Sequence, residues 1–285
     1  MNDERPTLNY AGPHSSLGAL QGIEADLDDG VLTIALDRPE QRNAMDVALT
    51  LDMERLLETV AHDPAVRVVL LRGNGEGFCA GFDTADFSDT TRRDEPALRA
   101  ARKAADHWRF RLLRLLPQPV IAMVHGFCHG GAVGMVEGCD MAFAADDAEF
   151  LLAEVDAGHG LVGAVAKSVS RVMAPRAASF HALSGRPFDG REAERNGLVT
   201  RSFPAEALER ETLALARELV DKDSLVLQFT KETLQHVGSM SWDAAINFHA
   251  AKLAELKSRQ PGQPSGRDAA VASFLAGKSK PGLGG

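Results

Sequence analysis

The chain has 285 residues, 45% of them apolar, enough to bury a sizeable core in one large domain or in a domain with an appendage. Its net charge of −9 argues against nucleic acid as a partner. Cys79, Cys128 and Cys139 stand in apolar or glycine-rich surroundings without zinc spacing, and no apolar run approaches the roughly 18 residues of a membrane span, so a cytoplasmic protein with reduced thiols, no metal and no membrane contact is expected.

Residues 1–20 carry Pro6, Gly12, Pro13, Ser15 and Ser16 without a period and read as a loose arm. Ile23, Ala25 and Leu27 alternate with polar residues as in a half-buried strand, Asp28-Asp29-Gly30 is a hairpin signal, and Val31 to Leu36 is the answering strand. A polar loop follows, from Asp37 to Ala44. Leu49, Met53, Leu56, Leu57 and Val60 then recur at helical spacing and predict a helix from Asp46 to Ala61. Val66 to Leu71 is a third strand, running into the glycine-rich stretch Gly73 to Asp83. The charged span Asp86 to Glu95 is expected to be mobile. Pro96 to Leu116 reads as a basic amphipathic helix with Trp108, Leu112 and Leu115 on one side, its basic face either solvated or turned to a phosphate-bearing ligand.

Val120 to Val124 is a buried strand that breaks at Gly126, Gly130 and Gly131 and resumes as a helix to Glu137. A strand that turns through glycines into a helix aims free backbone N–H groups at one point, which suits a phosphate or an oxyanion formed during a reaction. Close packing of the backbone explains the same glycines. Short strands at Met141–Ala144 and Glu149–Leu152 and helices at Gly163–Met173 and Pro175–Leu183 come next. Asp189 is placed to cap a helix, with Glu192 three residues on. From Pro204 only helices are predicted. Trp242, Ala245, Ile246, Leu253 and Leu256 form an apolar stripe that packs either on a neighbouring subunit or on the chain's own core. Gln260 to Ser265 reads as a linker before a last short helix ending at Gly277. The expected organisation is an arm (1–20), an α/β core (21–203) and a C-terminal helical region (204–285).

Four motifs come in a fixed order: Leu36-Asp-Arg-Pro-Glu-Gln-Arg-Asn-Ala-Met45, Phe78-Cys-Ala-Gly-Phe-Asp83, Pro119 to Gly131, and Ser184-Gly-Arg-Pro-Phe188 with Gly197-Leu-Val199. Together they resemble the enoyl-CoA hydratase/isomerase (crotonase) superfamily over roughly residues 22–200. Trp108 to Leu116, Ala166-Lys-Ser168, Ser241-Trp242 and Lys278-Ser-Lys-Pro-Gly-Leu283 are similar to the hydroxycinnamoyl-CoA (feruloyl-CoA) hydratase-lyases in particular.

The resemblance implies a crotonase-like β/α spiral core with a C-terminal helical oligomerisation region, assembled as a homotrimer or a dimer of trimers. It implies an acyl-CoA thioester substrate, with coenzyme A as part of that substrate and no other cofactor. The thioester carbonyl would lie between the backbone N–H groups of Ala80 and Gly131, which would hold the enolate oxygen. Asp83 and the loop Arg42-Asn-Ala44 would frame the nucleotide end. Hydratases of the superfamily use two glutamates; here the first position is Gly134 and the second is Glu154. Single-glutamate sites occur in hydratase-lyases and in enoyl-CoA isomerases, where one buried carboxylate serves as base and then as acid. Outside the resemblance Glu154 reads as an ion-paired residue at a strand end.

The sequence departs from the hydroxycinnamoyl branch where tyrosines would hold a phenol: Phe87 and Phe248 stand there, aromatic without the hydroxyl. Phe82, Phe87, Trp108 and Phe248 are the expected acyl-pocket wall, which favours a bulky or aryl group over a phenol. His129 and His159 replace residues apolar in the family and are candidates for a polar substrate contact or a second acid/base, as against plain loop histidines; His125 lies beside them. Asp156 is a candidate to orient one of them. The reading is an acyl-CoA hydratase with or without retro-aldol cleavage. The alternatives are a Δ3,Δ2-enoyl-CoA isomerase, a thioester hydrolase, and a non-catalytic protein that binds a CoA ligand, RNA or a protein partner.

Overall fold

In a computed structural model, residues 10, 17–158, 160–161, 164–260 and 266–278 are described, with backbone alone at 89–93 and 266–270. The chain divides into two compact units, Met1–Asp221 and Lys222–Gly285.

The first unit is built on a sheet of six strands. Ile23–Asp28 (β1) and Val31–Leu36 (β2) form an antiparallel hairpin whose turn places Asp29 at φ 44° and Gly30 at φ 82°. Positive φ at both turn residues gives the twist that a two-residue hairpin needs. Val47–Val60 (α1) follows, its first turn capped by the Asp46 carboxylate, which accepts from the Leu49 N–H at 2.7 Å. Val68–Gly73 (β3) pairs parallel to β2. Thr84–Arg93 (α2) covers the charged span expected to be mobile; Asp83 caps it, accepting from the Asp86 N–H at 3.1 Å.

Glu95–His107 (α3) runs into a π-helical turn, Trp108–Leu112, and the short Leu113–Leu115 (α4). The extra residue in the π turn shifts the buried stripe by one position. Leu98, Ala101 and Ala105 are buried before it, Trp108 and Arg109 at its start, and Leu113 and Leu116 after it. The single face expected for Trp108, Leu112 and Leu115 therefore breaks, and Leu115 is half-exposed.

Val120–Val124 (β4), Met141–Ala145 (β6) and Arg201–Phe203 (β8) complete the sheet in the order β1-β2-β3-β4-β6-β8. Between them Phe127–His129 (β5) and Glu149–Leu151 (β7) pair parallel in a second, two-stranded sheet. The chain thus steps twice from the large sheet to the small one, which is the repeating turn of a β/α spiral. Val133–Gly138 (α5), Ala164–Val172 (α6), Pro175–Ser184 (α7) and Gly190–Asn196 (α8) link the later strands. Every residue of β4 is buried, as in a parallel strand covered on both faces. Strand β8 lies in a stretch too short and too polar, Arg201-Ser202-Phe203, to announce itself by pattern.

Ala205–Val220 (α9) packs on β2, β3, β4, β6 and β8 and belongs to the first unit, so the unit ends at Asp221 rather than at residue 203. Tyr10 and Leu17, within the stretch expected to be loose, are buried, and the Tyr10 hydroxyl donates to Asp63 at 2.9 Å. The rest of the arm's named residues lie outside the described ones.

The second unit holds Ser224–Val237 (α10), Trp242–Arg259 (α11) and Gly266–Leu275 (α12). Helix α10 is capped by Asp223, and α10 and α11 are joined by Lys252, which bridges to Glu232 at 2.5 Å and to Glu255 at 3.0 Å. Helix α11 buries none of its residues; Trp242 is 87% exposed and Ile246 63%. Among the described residues no helix is long and apolar enough to cross a membrane.

Candidate active site

The two glycine loops meet. Cys79 bridges Cys128 in parallel fashion: its N–H donates to the Phe127 carbonyl at 3.1 Å and its carbonyl accepts from the His129 N–H at 3.0 Å. On the other side the first loop is stitched to the Arg42–Met45 segment, with the Met45 N–H donating to Gly81 at 2.8 Å and the Asp83 N–H to Met45 at 2.9 Å. Asn43, buried and at φ 53°, locks this segment in place. Its amide donates to the carbonyls of Asn74 (2.7 Å) and Gly77 (2.8 Å), and its oxygen accepts from the Arg38 N–H (2.9 Å). Asparagine is among the few side-chain-bearing residues that tolerate such a backbone. At Gly126, φ 61°, a Cβ would collide with the Glu76 carbonyl, so the close approach of the loops requires glycine there.

This stitching decides which amides are available. The Ala80 N–H donates to the Arg42 carbonyl at 3.0 Å, so it does not point into an oxyanion hole. The expectation placed the donor two residues too early. Among the described residues the N–H of Phe82 has no acceptor, and neither does that of Gly131 in the first turn of the Gly130–Ala132 3-10 segment. They lie close: a Cβ on Gly81 would sit 3.6 Å from the Gly131 nitrogen, and one on Gly131 would sit 3.0 Å from the Phe82 ring. Phe82 and Gly131 are therefore the pair of donors that the structure brings together.

Glu154 follows β7 in a turn and is buried. Its Oε1 lies 3.6 Å from where a Cβ on Gly130 would be, so its carboxylate borders the same loop. At Gly134 the space a side chain would need is filled: a Cβ there would lie 2.7 Å from Cε1 of Phe110. The Phe110 ring stands where a second carboxylate would otherwise begin.

Of the expected pocket wall, Phe82 and Phe87 are half-buried and in edge-to-face contact, with centroids 5.1 Å apart. Trp108 is wholly buried, one helical turn after the buried Ala104 and Ala105, and presents no surface to a ligand. Phe248 lies in the second unit, edge-on to His236 with centroids 5.9 Å apart. Asp83, expected near the nucleotide end, caps α2 and pairs with Arg38 at 3.3 Å, a structural duty. Arg42 lays its guanidinium over the Phe127 ring at 4.3 Å.

The histidines separate. His129 bonds the Glu149 carboxylate at 2.9 Å; burial and then Arg42 hold its pKa below the ordinary 6.5, against the pull of Glu149. His125 bonds the Gly75 carbonyl at 3.0 Å and serves the loop. His159 lies outside the described residues. Asp156 abuts Gly185, and among the described residues no bond joins it to His125 or His129. All three thiols are buried, and burial pushes Cys79 up to about 12 and Cys128 well above its usual 9.0.

Two residues of the site were missed from sequence. Arg109 was assigned to a basic face, and Phe110 to none. The available signal was spacing, since Arg109 follows the buried Ala105 by one helical turn.

The described features agree with known proteins. The enoyl-CoA hydratase/isomerase family model matches residues 26–270. A hydroxycinnamoyl-CoA hydratase-lyase of Pseudomonas fluorescens is 34% identical over 93% of this chain and 96% of its own length. A human mitochondrial Δ(3,5)-Δ(2,4)-dienoyl-CoA isomerase is 32% identical over 78% of this chain and 70% of its own. The crystal structure of an enoyl-CoA hydratase of Mycobacterium smegmatis superposes with a TM-score of 0.80 at 26% identity, covering 90% of this chain and 97% of that one.

Proposed function

The chain belongs to the enoyl-CoA hydratase/isomerase family, and from that premise we propose that it is an acyl-CoA hydratase acting on a bulky or aryl enoyl thioester, with retro-aldol cleavage of the adduct as a second step. One observation carries the reading: two backbone N–H groups without a protein acceptor among the described residues, on Phe82 and Gly131, lie in adjoining loops beside the stretch that the Glu154 carboxylate borders. The donors hold the thioester oxygen. Glu154 takes a proton from water, the hydroxide adds to Cβ, and the electron pair moves to the oxygen as an enolate. Glu154 then returns the proton to Cα. In cleavage Glu154 takes the β-hydroxyl proton, the Cα–Cβ bond breaks, an aldehyde leaves, and the acetyl-CoA enolate rests on the same two amides until Glu154 protonates it.

Such donors contribute several kcal/mol because they are already aimed where charge develops. One carboxylate is sufficient, since base and acid act in turn. Coenzyme A enters only as part of the substrate. The half-buried rings of Phe82 and Phe87 favour an apolar aryl group, at about 25 cal/mol per Å² buried, and offer no partner to a phenol.

A single-carboxylate site also suits isomerisation, where the proton moves between carbons, and the likeness to a dienoyl-CoA isomerase keeps that second reading. Ultraviolet absorbance of cinnamoyl-CoA and 4-coumaroyl-CoA with the purified protein separates the readings. Loss of conjugation with release of benzaldehyde and acetyl-CoA supports hydration and cleavage. A gain of conjugation from a Δ3-enoyl-CoA, with cinnamoyl-CoA untouched, assigns isomerase. A kcat/KM preference of more than about tenfold for 4-coumaroyl-CoA refutes the apolar-wall argument, being about 1.4 kcal/mol of phenol recognition.

A further inference from the structure

A buried cation stands directly behind the two donors. Arg109 is 3% exposed, and its guanidinium lies 4.6 Å from the ring centroid of Phe82 and 4.6 Å from that of Phe110. Its Nη1 donates to the Gly131 carbonyl at 2.9 Å, its Nε to the Ala105 carbonyl at 3.0 Å, and its Nη2 reaches Asp106 at 3.4 Å. Burial lowers its pKa to about 10, so the group remains a cation at neutral pH. Burying a charge is costly unless something repays it. Here one guanidinium touches both halves of the oxyanion pair: the ring of the residue that offers one N–H, and the carbonyl of the residue that offers the other.

We propose, resting on the oxyanion reading above, that Arg109 is a positioning residue: its guanidinium fixes Phe82 and Gly131 at the spacing that polarises the thioester carbonyl. The planar fork suits the task. It stacks between two rings while its edge donates to a backbone carbonyl, which an ammonium cannot do. The bond to the Gly131 carbonyl holds the peptide that follows the donor amide, and stacking on Phe82 holds the side chain on the other donor residue. The packing has no slack, since a Cβ on Gly131 would lie 3.0 Å from the Phe82 ring and 3.1 Å from Nη1 of Arg109. Arg109 follows the buried Ala105 by one helical turn and lies in a π turn, and such turns gather at functional sites. Arg109 touches no reacting atom, so its effect falls on the transition state through the geometry of the donors.

The test uses the Glu154→Gln protein, expected to bind without turning over, and cinnamoyl-CoA as probe. Donors that polarise the thioester move the absorbance of the conjugated acyl group to longer wavelength. Arg109→Gln in that background is expected to lose most of the red shift while the dissociation constant changes less than about threefold, and Arg109→Lys, which keeps the charge, to recover part of it. In the Glu154-containing enzyme the same substitutions are expected to lower kcat by about 10- to 100-fold with KM little changed. If Arg109→Gln does not fold, the Lys variant alone decides, because loss of red shift with binding retained is still required. An unchanged red shift in a folded, binding variant overturns the proposal. No red shift in the Glu154→Gln parent overturns the oxyanion reading itself, and the inference with it.

Discussion

Replacing Gly134 by alanine sets two effects of opposite sign against each other. Gly134 lies in α5, where alanine is favoured over glycine by roughly 0.5–1 kcal/mol through backbone entropy. Its new Cβ would meet Cε1 of Phe110 at 2.7 Å and Cζ at 3.0 Å. A flexible side chain would give way, but the Phe110 ring is held by the Arg109 guanidinium at 4.6 Å. Overpacking of this kind costs about 1–3 kcal/mol, so in the natural background Gly134→Ala destabilises, by up to about 2 kcal/mol after the propensity gain. In a Phe110→Ala background the ring is gone and only propensity remains, so the same substitution stabilises by about 0.5–1 kcal/mol. Urea unfolding of the four proteins at one fixed concentration measures the cycle, the fixed concentration guarding against mass action in an oligomer. A coupling of about 1–3 kcal/mol with a change of sign is expected. Additive effects, within about 0.5 kcal/mol, would refute the claim that Phe110 occupies the space of a second carboxylate.

Glu154→Gln is expected to reduce turnover by at least about 10²-fold while thioester binding, followed by calorimetry, is retained; comparable turnover would remove Glu154 from the role of base. The His129 ring should titrate below 6.5 by NMR, and lower still in Glu149→Gln, since burial lowers its pKa and Glu149 raises it. Because the folded pKa is depressed, the native state takes up a proton less readily than the unfolded chain. Stability is therefore flat above the ordinary histidine range and falls as pH drops below about 6.5 toward the folded value, a slope that His129→Gln should reduce. The exposed Trp242 and Ile246 on α11 predict self-association. Sedimentation should show a species at least three times 30.5 kDa, and Trp242→Glu should shift it toward a smaller one.

What pattern alone determined is the set of elements that bury one face. Strand β1 and helix α1 were legible because apolar residues recur with the period of the element they form, β2 to β4 because they are short apolar runs, and the hairpin because Asp29 and Gly30 can adopt positive φ. The motifs marked the two glycine loops and Glu154 as the candidate centre. What pattern cannot carry is the pairing of segments far apart in the chain. Whether Ala80 or Phe82 offers its N–H depends on where the Arg42 carbonyl and the Cys128 bridge fall, and Gly81 at φ 93° turns the chain between the two residues. The charged α2 was hidden because its residues at 84–88 are exposed or half-buried and carry no apolar period. The face expected for Trp108, Leu112 and Leu115 was misplaced because an added residue in a single helical turn rotates every later side chain by about 100° and leaves no mark in composition. The spiral and its loops were legible one segment at a time; the donors and the cation behind them exist only once those segments touch.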